Sequence, residues 1–380
     1  MSKKEVLRLV IFNLIFVFIL MCLTYIIRTN GDTKDIFTGF YAQKNNTVDV
    51  VMIGSSPVYP FYSSPKIYKD TGITAYPLSS NVQRPKAMIP LIKEAEKSQN
   101  PKLYVLEMRM FTFEEGRMFE NMAFARGVTD NMKYSFNRIA TINRLIPSRK
   151  EMELRMQDDI NKDQPEDSYE DRYTYYFDIF KYHSNWKTLV LKDQLRSVFY
   201  NKKNPLMGFV IRNEVGPLLD EEIPNTGYAL PSEDDVMPIP AEQEERLYEL
   251  LDYLKENDIK ALFIVSPYNV TEEQMKMFNY ITPIIESYGF TFDNMNDKYD
   301  EIGIDFKTDY YDYGGHVNLK GAEKCTEHLE VLLKQFDLPD HRGDNRFTAY
   351  DEAAGLYEDK SAEALSRIED HIKNETYAER

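Results

Sequence analysis

The sequence predicts an α/β protein, a parallel sheet covered on both faces by helices and held to a membrane by one N-terminal helix. Three observations predict it. Short β-branched runs bounded by Gly, Pro, Asn or Ser alternate with helical patterns. A charge-free run of 19 residues, 9–27, precedes the first of them. The 380 residues are 43% apolar, with 27 Tyr and 22 Phe, enough for a large core and too apolar for a disordered chain. Alternation implies parallel strands, because each crossover lays a helix on a sheet face.

The first element reads LVIFNLIFVFILMCLTYII. At about 1.5 Å per residue it makes roughly 28 Å of helix, close to the hydrocarbon thickness of a bilayer. Fourteen of its positions are Leu, Ile, Val or Phe. Their summed insertion energy, about −6 kcal/mol, outweighs Asn13 and Thr24 near its ends. The run is longer than the apolar core of a signal peptide, and the IIRTNGDTK that follows has no small-x-small cleavage site, so a retained anchor is expected. Lys3, Lys4 and Arg8 place residues 1–8 in the cytoplasm, despite Arg28 on the far side, and everything after 27 outside the cell membrane. Cys22 lies in the span and Cys325 is the only other cysteine, so no disulfide within the outer domain is expected.

Strands are predicted over 48–53, 73–78, 103–108, 261–265 and 290–292, and helices over 84–97, 242–257, 272–288 and 320–336. Between the third and fourth strands, about 111–241, the pattern breaks into a stretch rich in Met, Tyr, Phe and charge. It reads as a mostly helical insertion that covers the sheet or forms a lid. The outer domain thus runs over 28–338. Residues 339–380 form a charged tail, poor in large apolar side chains, expected to be partly disordered or a surface helix. With 46 Lys+Arg against 62 Asp+Glu the chain carries −16, and such an acidic chain repels phosphate backbones, which excludes nucleic acid as a main partner.

The first predicted strand runs into Gly54-Ser55-Ser56-Pro57. A serine after a buried strand and a glycine turn is lifted to the carboxyl edge of a parallel sheet, where sites form and where a nucleophile belongs. Near the other end stands Asp312, four residues before His316, with Gly314 and Gly315 between them. A carboxylate there can accept from one imidazole nitrogen while the other faces a serine. The remaining histidines are less suited. His328 lies in the apolar stripe of a helix, and His341 and His371 are in the tail. His183 stands beside Trp186, the single tryptophan, where packing and substrate contact are both open readings. No phosphate loop, dinucleotide fingerprint or paired zinc ligands occur, so neither cofactor nor metal is expected.

Gly54-Ser55-Ser56, Tyr76-Pro77-Leu78-Ser79-Ser80-Asn81-Val82-Gln83 and Asp312…His316-Val317-Asn318…Gly321 resemble, in this order, the blocks of the SGNH/GDSL hydrolase superfamily. The similarity is closest to its membrane-anchored cell-surface members, including D-alanine transfer proteins of the teichoic-acid system and polysaccharide O-acetylation proteins. It covers roughly 45–110 and 255–335. The resemblance implies a three-layer α/β/α flavodoxin-like domain, Ser56 as nucleophile, His316 as general base and Asp312 as the acid that orients it. In the family the acid usually stands three residues before the histidine, so Asp309 is an alternative to Asp312. Ser79, Ser80 and Asn81 are the oxyanion candidates, Glu107-Met108-Arg109 stands where an asparagine block is expected, and Gln83, His183 and Trp186 are candidate substrate contacts. The implied activity is that of an extracytoplasmic acyltransferase or acylesterase acting on a cell-surface glycan or teichoic acid beside a membrane-bound O-acyltransferase partner. A non-catalytic scaffold of such a membrane complex is the alternative.

Overall fold

The computed structural model describes residues 2–28, 31–114, 123–151, 170–188 and 202–379. Parts of the predicted insertion, 115–122, 152–169 and 189–201, lie outside the described residues. Helix α1, Lys3–Ile27, starts at a capping box in which Ser2 and Glu5 satisfy each other's backbone N–H groups. It is long and apolar enough to cross a membrane, and its most apolar stretch is unburied. Its last turn belongs to the folded domain. Thr24, Tyr25 and Ile27 are buried, and the Tyr25 hydroxyl lies 2.6 Å from Thr38 Oγ1 on α2, Asp32–Tyr41.

Strand β1, Val50–Ile53, is followed by the short α3, Val58–Phe61, and by α4, Ser64–Thr71. Then come β2, Ala75–Pro77, α5, Met88–Ala95, and β3, Leu103–Glu107. The insertion contributes α6, Ala123–Thr129, α7, Phe136–Leu145, and the one-turn helices α8, Tyr173–Tyr176, and α9, Ile179–Tyr182, with a 3₁₀ turn at His183–Thr188. Its last part, 202–240, is irregular apart from one short turn. The alternation resumes with α10, Ala241–Glu256, β4, Ala261–Val265, α11, Glu272–Ser287, and β5, Thr291–Asn294. Helices α12, Tyr299–Ile302, α13, Leu319–Leu333, and α14, Thr348–Asn374, complete the chain.

All five strands are parallel, in the order β2-β1-β3-β4-β5. Alternate residues feed two cores. Val51, Ile53, Leu106 and Phe263 join the cluster built with α2, α5, α10 and α11, while Val50, Met52, Val105 and Ile264 join the one built with α3, α4, α13 and α14. The result is three layers, helices on both faces of a sheet with no solvated side.

Several boundaries differ from the expected ones for local reasons. Residues 48 and 49 stand outside β1, and the N–H of Val48 donates to Gln99 Oε1 instead of to a neighbouring strand. The helix expected from 84 begins as a 3₁₀ turn at Pro85–Ala87, since a residue before proline is driven out of the helical region and Arg84 is extended.

The tail takes the second of its two expected forms, a helix on the surface, and packs more firmly than its composition implies. Residues 348–374 are one long helix that buries Tyr350, Ala353, Tyr357, Ala364 and Ile368 against α4 and α13. The Tyr350 hydroxyl donates to the carbonyl of Ala75 in β2, and His341 binds Asp49 at 2.5 Å while stacking on Phe347. The residues after 338 thus pack on the helices of the outer domain. Few apolar residues suffice here because they recur at helical spacing and are large.

Arg28, the residue that follows α1, is also not a loop charge. It is buried against the rings of Tyr25 and Tyr134 and binds Asp178, itself fully buried, at 2.5 Å. Asp178 also accepts from Arg138 and Tyr134. Asp178→Ala removes the carboxylate bound by buried Arg28 and leaves Arg138 only the longer carboxylate contact with Asp130 at 3.8 Å, and it is expected to cost about 3–5 kcal/mol, measured as the shift of the denaturant midpoint of the detergent-solubilised chain. A loss below ~1 kcal/mol would contradict the ion pair's structural role.

Candidate active site

Strand β1 is buried at every position, and the chain leaves it through Gly54. A methyl group at Gly54 would lie 2.5 Å from Glu107 Cβ and 2.8 Å from Val58 Cγ2, so only glycine lets the turn pass this close to β3. Ser55 is buried, Ser56 is half-buried, and Pro57 starts α3. In this strand order the connections leave β1 and β3 in opposite directions, so Ser56 stands at the switch point of the sheet.

The second half of the site is a closed loop. Tyr310 and Val317 form an antiparallel bridge, and the N–H of Tyr311 donates to the carbonyl of His316. Between them the backbone turns through Tyr313 at φ 61° and Gly314 at φ 83°, two successive left-handed residues. That turn folds Asp312 back onto His316. Asp312 Oδ1 accepts from the backbone N–H of His316 and Oδ2 from its Nδ1–H, both at 2.5 Å. With Nδ1 carrying the proton, Nε2 is the acceptor, and the Ser56 hydroxyl donates to it at 2.7 Å. The structure thus brings Ser56, His316 and Asp312 into one hydrogen-bonded chain.

Asp309 does not compete with Asp312. It is fully buried, binds Lys324 at 2.6 Å and accepts from the N–H of Asp305, so it braces the start of α13. The oxyanion candidates divide. Ser79 and Ser80 are fully buried with unpartnered hydroxyls, so those hydroxyls do not reach the surface on which Ser56 opens. Asn81 is exposed, and its Oδ1 accepts from the Tyr59 hydroxyl on α3, which fixes the side chain and leaves its amide N–H groups as the donors. Gln83 is buried, and neither amide atom has a partner. His183 and Trp186 lie on the turn against the end of α1, exposed rather than packed, and no hydrogen bond or ring contact joins them to Ser56, Asp312 or His316.

Other residues that frame the site come from the edges of neighbouring elements. Tyr311 stacks on the His316 ring at 5.8 Å, and Arg212 lies over Tyr311 while binding Asp32 at 2.6 Å. Burial and the charge of Asp312 push the Tyr311 hydroxyl up to about 12. The insertion segment carrying Arg212 is bound along this edge. The N–H of Val210 donates to the carbonyl of Tyr59, and that of Leu319 to the carbonyl of Arg212, so this part of the insertion lies along the edge that carries Ser56 and His316.

Arg109 stands just past β3. Its guanidinium lies 3.7 Å from the centre of the Tyr268 ring and donates at 2.9 Å to the carbonyl of Gly315, next to His316. It is a positioning residue for the histidine loop. Arg109→Gln is expected to lower kcat about 10- to 100-fold, the loss of one charge-assisted hydrogen bond, with KM little changed. Arg109→Lys should rescue poorly, because an ammonium cannot stack on Tyr268 and hold the carbonyl in one plane. In sequence Arg109 only marks the position of an expected asparagine block; what joins it to His316 is a loop about two hundred residues away.

Glu107, beneath Gly54, is fully buried, and burial pushes its carboxyl up to about 7 against the opposing charge of Arg109. The folded protein then keeps a proton that the unfolded chain releases. Its contribution to stability is fully present below about pH 4.5, is lost as pH rises to about 7, and is flat beyond. Glu107→Gln should remove that dependence, so melting temperatures of variant and parent should diverge in the variant's favour between these pH values. Parallel curves would contradict a neutral Glu107.

Among the described residues no group of three or more His, Cys, Asp or Glu is placed to hold a metal ion. No protein-family model matches the chain, and no curated protein matches it significantly.

Proposed function

We propose that this protein is a membrane-anchored, extracytoplasmic serine acyltransferase or acylesterase that modifies a cell-surface polysaccharide or teichoic acid through an acyl-serine intermediate. One observation carries the reading, the continuous chain from Ser56 Oγ through the His316 ring to Asp312. Ser56 Oγ attacks the acyl carbonyl carbon and its proton passes to His316 Nε2. The tetrahedral adduct collapses, and the leaving alkoxide or thiolate takes that proton. A polymer hydroxyl or water then attacks acyl-Ser56, giving its own proton to His316 and releasing the ester or acid. Asp312 holds Nδ1–H throughout and stabilises the imidazolium.

A modest set of oxyanion donors implies slow turnover with either acceptor, since each missing donor costs about 10²–10³ in rate. The acyl donor is expected to be presented by a membrane-bound O-acyltransferase partner. The anchor reading is supported by α1, and its short basic end supports an outward-facing domain.

The test is labelling of the detergent-solubilised full chain with a fluorophosphonate, followed by mapping of the modified peptide. Modification at Ser56, together with slow release of acetate from a simple ester, is the expected result. Absence of any modified serine would leave a non-catalytic scaffold as the better reading.

A further inference from the structure

Four large aromatic side chains stand exposed on one short stretch of the insertion. Tyr173 is 53%, Phe177 56%, Phe180 59% and Trp186 64% exposed, and Tyr173 and Phe180 pack edge to face at 5.8 Å. Water-facing aromatics of this size are costly when clustered. Their position is specific. Helix α9 and the turn after it pack on the end of α1, the amide of Asn185 donates to the carbonyl of Ile27 at 3.0 Å, and Asp178, next to Phe177, holds Arg28. The aromatic patch therefore lies beside the end of α1, whose apolar side chains are exposed as far as Leu23 before its last turn is buried. Lys187, exposed beside Trp186, completes a basic and aromatic fringe, the composition that settles at the headgroup level of bilayers.

We propose that Tyr173, Phe177, Phe180 and Trp186 form an apron that seats the domain on the outer leaflet of the membrane spanned by α1. The proposal rests on the anchor reading above and narrows its substrate class. A cavity of about 540 Å³ lies between the span exit and the catalytic edge, lined by Arg28, Gly31 and Asp32 on one side, Lys181 and Tyr182 on the apron side, and Asn81 on the other. Asn81 binds Tyr59, three residues after Ser56, and Asp32 binds Arg212, which covers the ring stacked on His316. A seated apron holds the reacting edge beside the headgroups. The substrates that fit are acyl donors or acceptors carried at the membrane surface, such as lipid-linked polymers, rather than glycan far out in the envelope.

Trp186 is the only tryptophan, so its emission reports this patch alone. The full chain is reconstituted into phosphatidylcholine–phosphatidylglycerol vesicles, with and without lipids brominated near the glycerol backbone. The expected result is co-flotation with the vesicles, blue-shifted emission and loss of most of the intensity in brominated lipid. In Phe177→Ser/Phe180→Ser, flotation should persist while quenching by the brominated lipid is largely lost. Co-flotation with an unquenched, solvated emission would overturn the apron, leave the anchor intact and assign the patch to a protein partner. Failure to co-float would overturn the anchor and the apron together.

Discussion

Ser56→Ala is expected to abolish modification by a fluorophosphonate and to lower turnover of a short acyl ester by about 10⁴- to 10⁶-fold. The size follows from the geometry. Ser56 is the one hydroxyl bonded to His316 Nε2, so its removal leaves the imidazole without a nucleophile to activate. Ser55, its neighbour, is buried and cannot take over. The residual rate is that of whatever oxyanion stabilisation and binding remain. The variant should fold, because the serine is half-buried and loses a single hydrogen bond. Retained turnover with an unchanged melting temperature would remove Ser56 from the mechanism.

Asp312→Asn is expected to lower kcat by about 10³- to 10⁴-fold while KM changes little. An aspartate at this position accepts twice, from the backbone N–H and from Nδ1–H of His316. An amide has one accepting oxygen and one donating nitrogen. If the oxygen stays with the backbone, the amide nitrogen meets Nδ1 and forces the proton onto Nε2, where it blocks the serine. The imidazolium formed on attack also loses its counter-charge. Asp309→Asn is the informative contrast. Asp309 holds Lys324 in a buried pair and does not touch His316, so its loss should appear in stability and not in kcat. The reverse pattern in these two variants would exchange their roles.

The site was legible in part. Ser56 could be placed because a buried strand followed by Gly-Ser has only one edge to emerge on, and Asp312 with His316 because a carboxylate and an imidazole separated by two glycines can fold back on each other. Ser79, Ser80 and Gln83 look in sequence like groups offered to a substrate. The structure buries them, because the turn after β2 is covered by the insertion, whose packing partners lie far away in the chain. Arg212 and Tyr311 escaped notice for the same reason, and so did the contact of Arg109 with the histidine loop, although its segment stands at the position of the expected asparagine block. Each is ordinary in its own segment and acquires meaning from a contact across one hundred residues or more, or from a ring that happens to stack on His316.

The acidic tail is the clearest case of a segment whose composition does not show how firmly it packs. A mean tendency counts apolar residues, whereas burial depends on their recurrence at 3.6-residue spacing against a receptive surface. Tyr350, Tyr357 and Ile368 meet that condition only because α4 and α13 provide the surface.

By itself the sequence determined what depends on local pattern: an apolar N-terminal helix, alternating strands and helices, a parallel sheet, and the two segments from which Ser56 and the Asp312–His316 pair project. Periodicity and turn chemistry act over a few residues, so they are written in the chain. Only the tertiary structure decided which carboxylate faces His316, which serines are buried, that Arg28 is locked to Asp178, and that the exposed aromatics lie beside the span. Those outcomes are set by hydrogen bonds and packing between distant segments, and no local spacing encodes them.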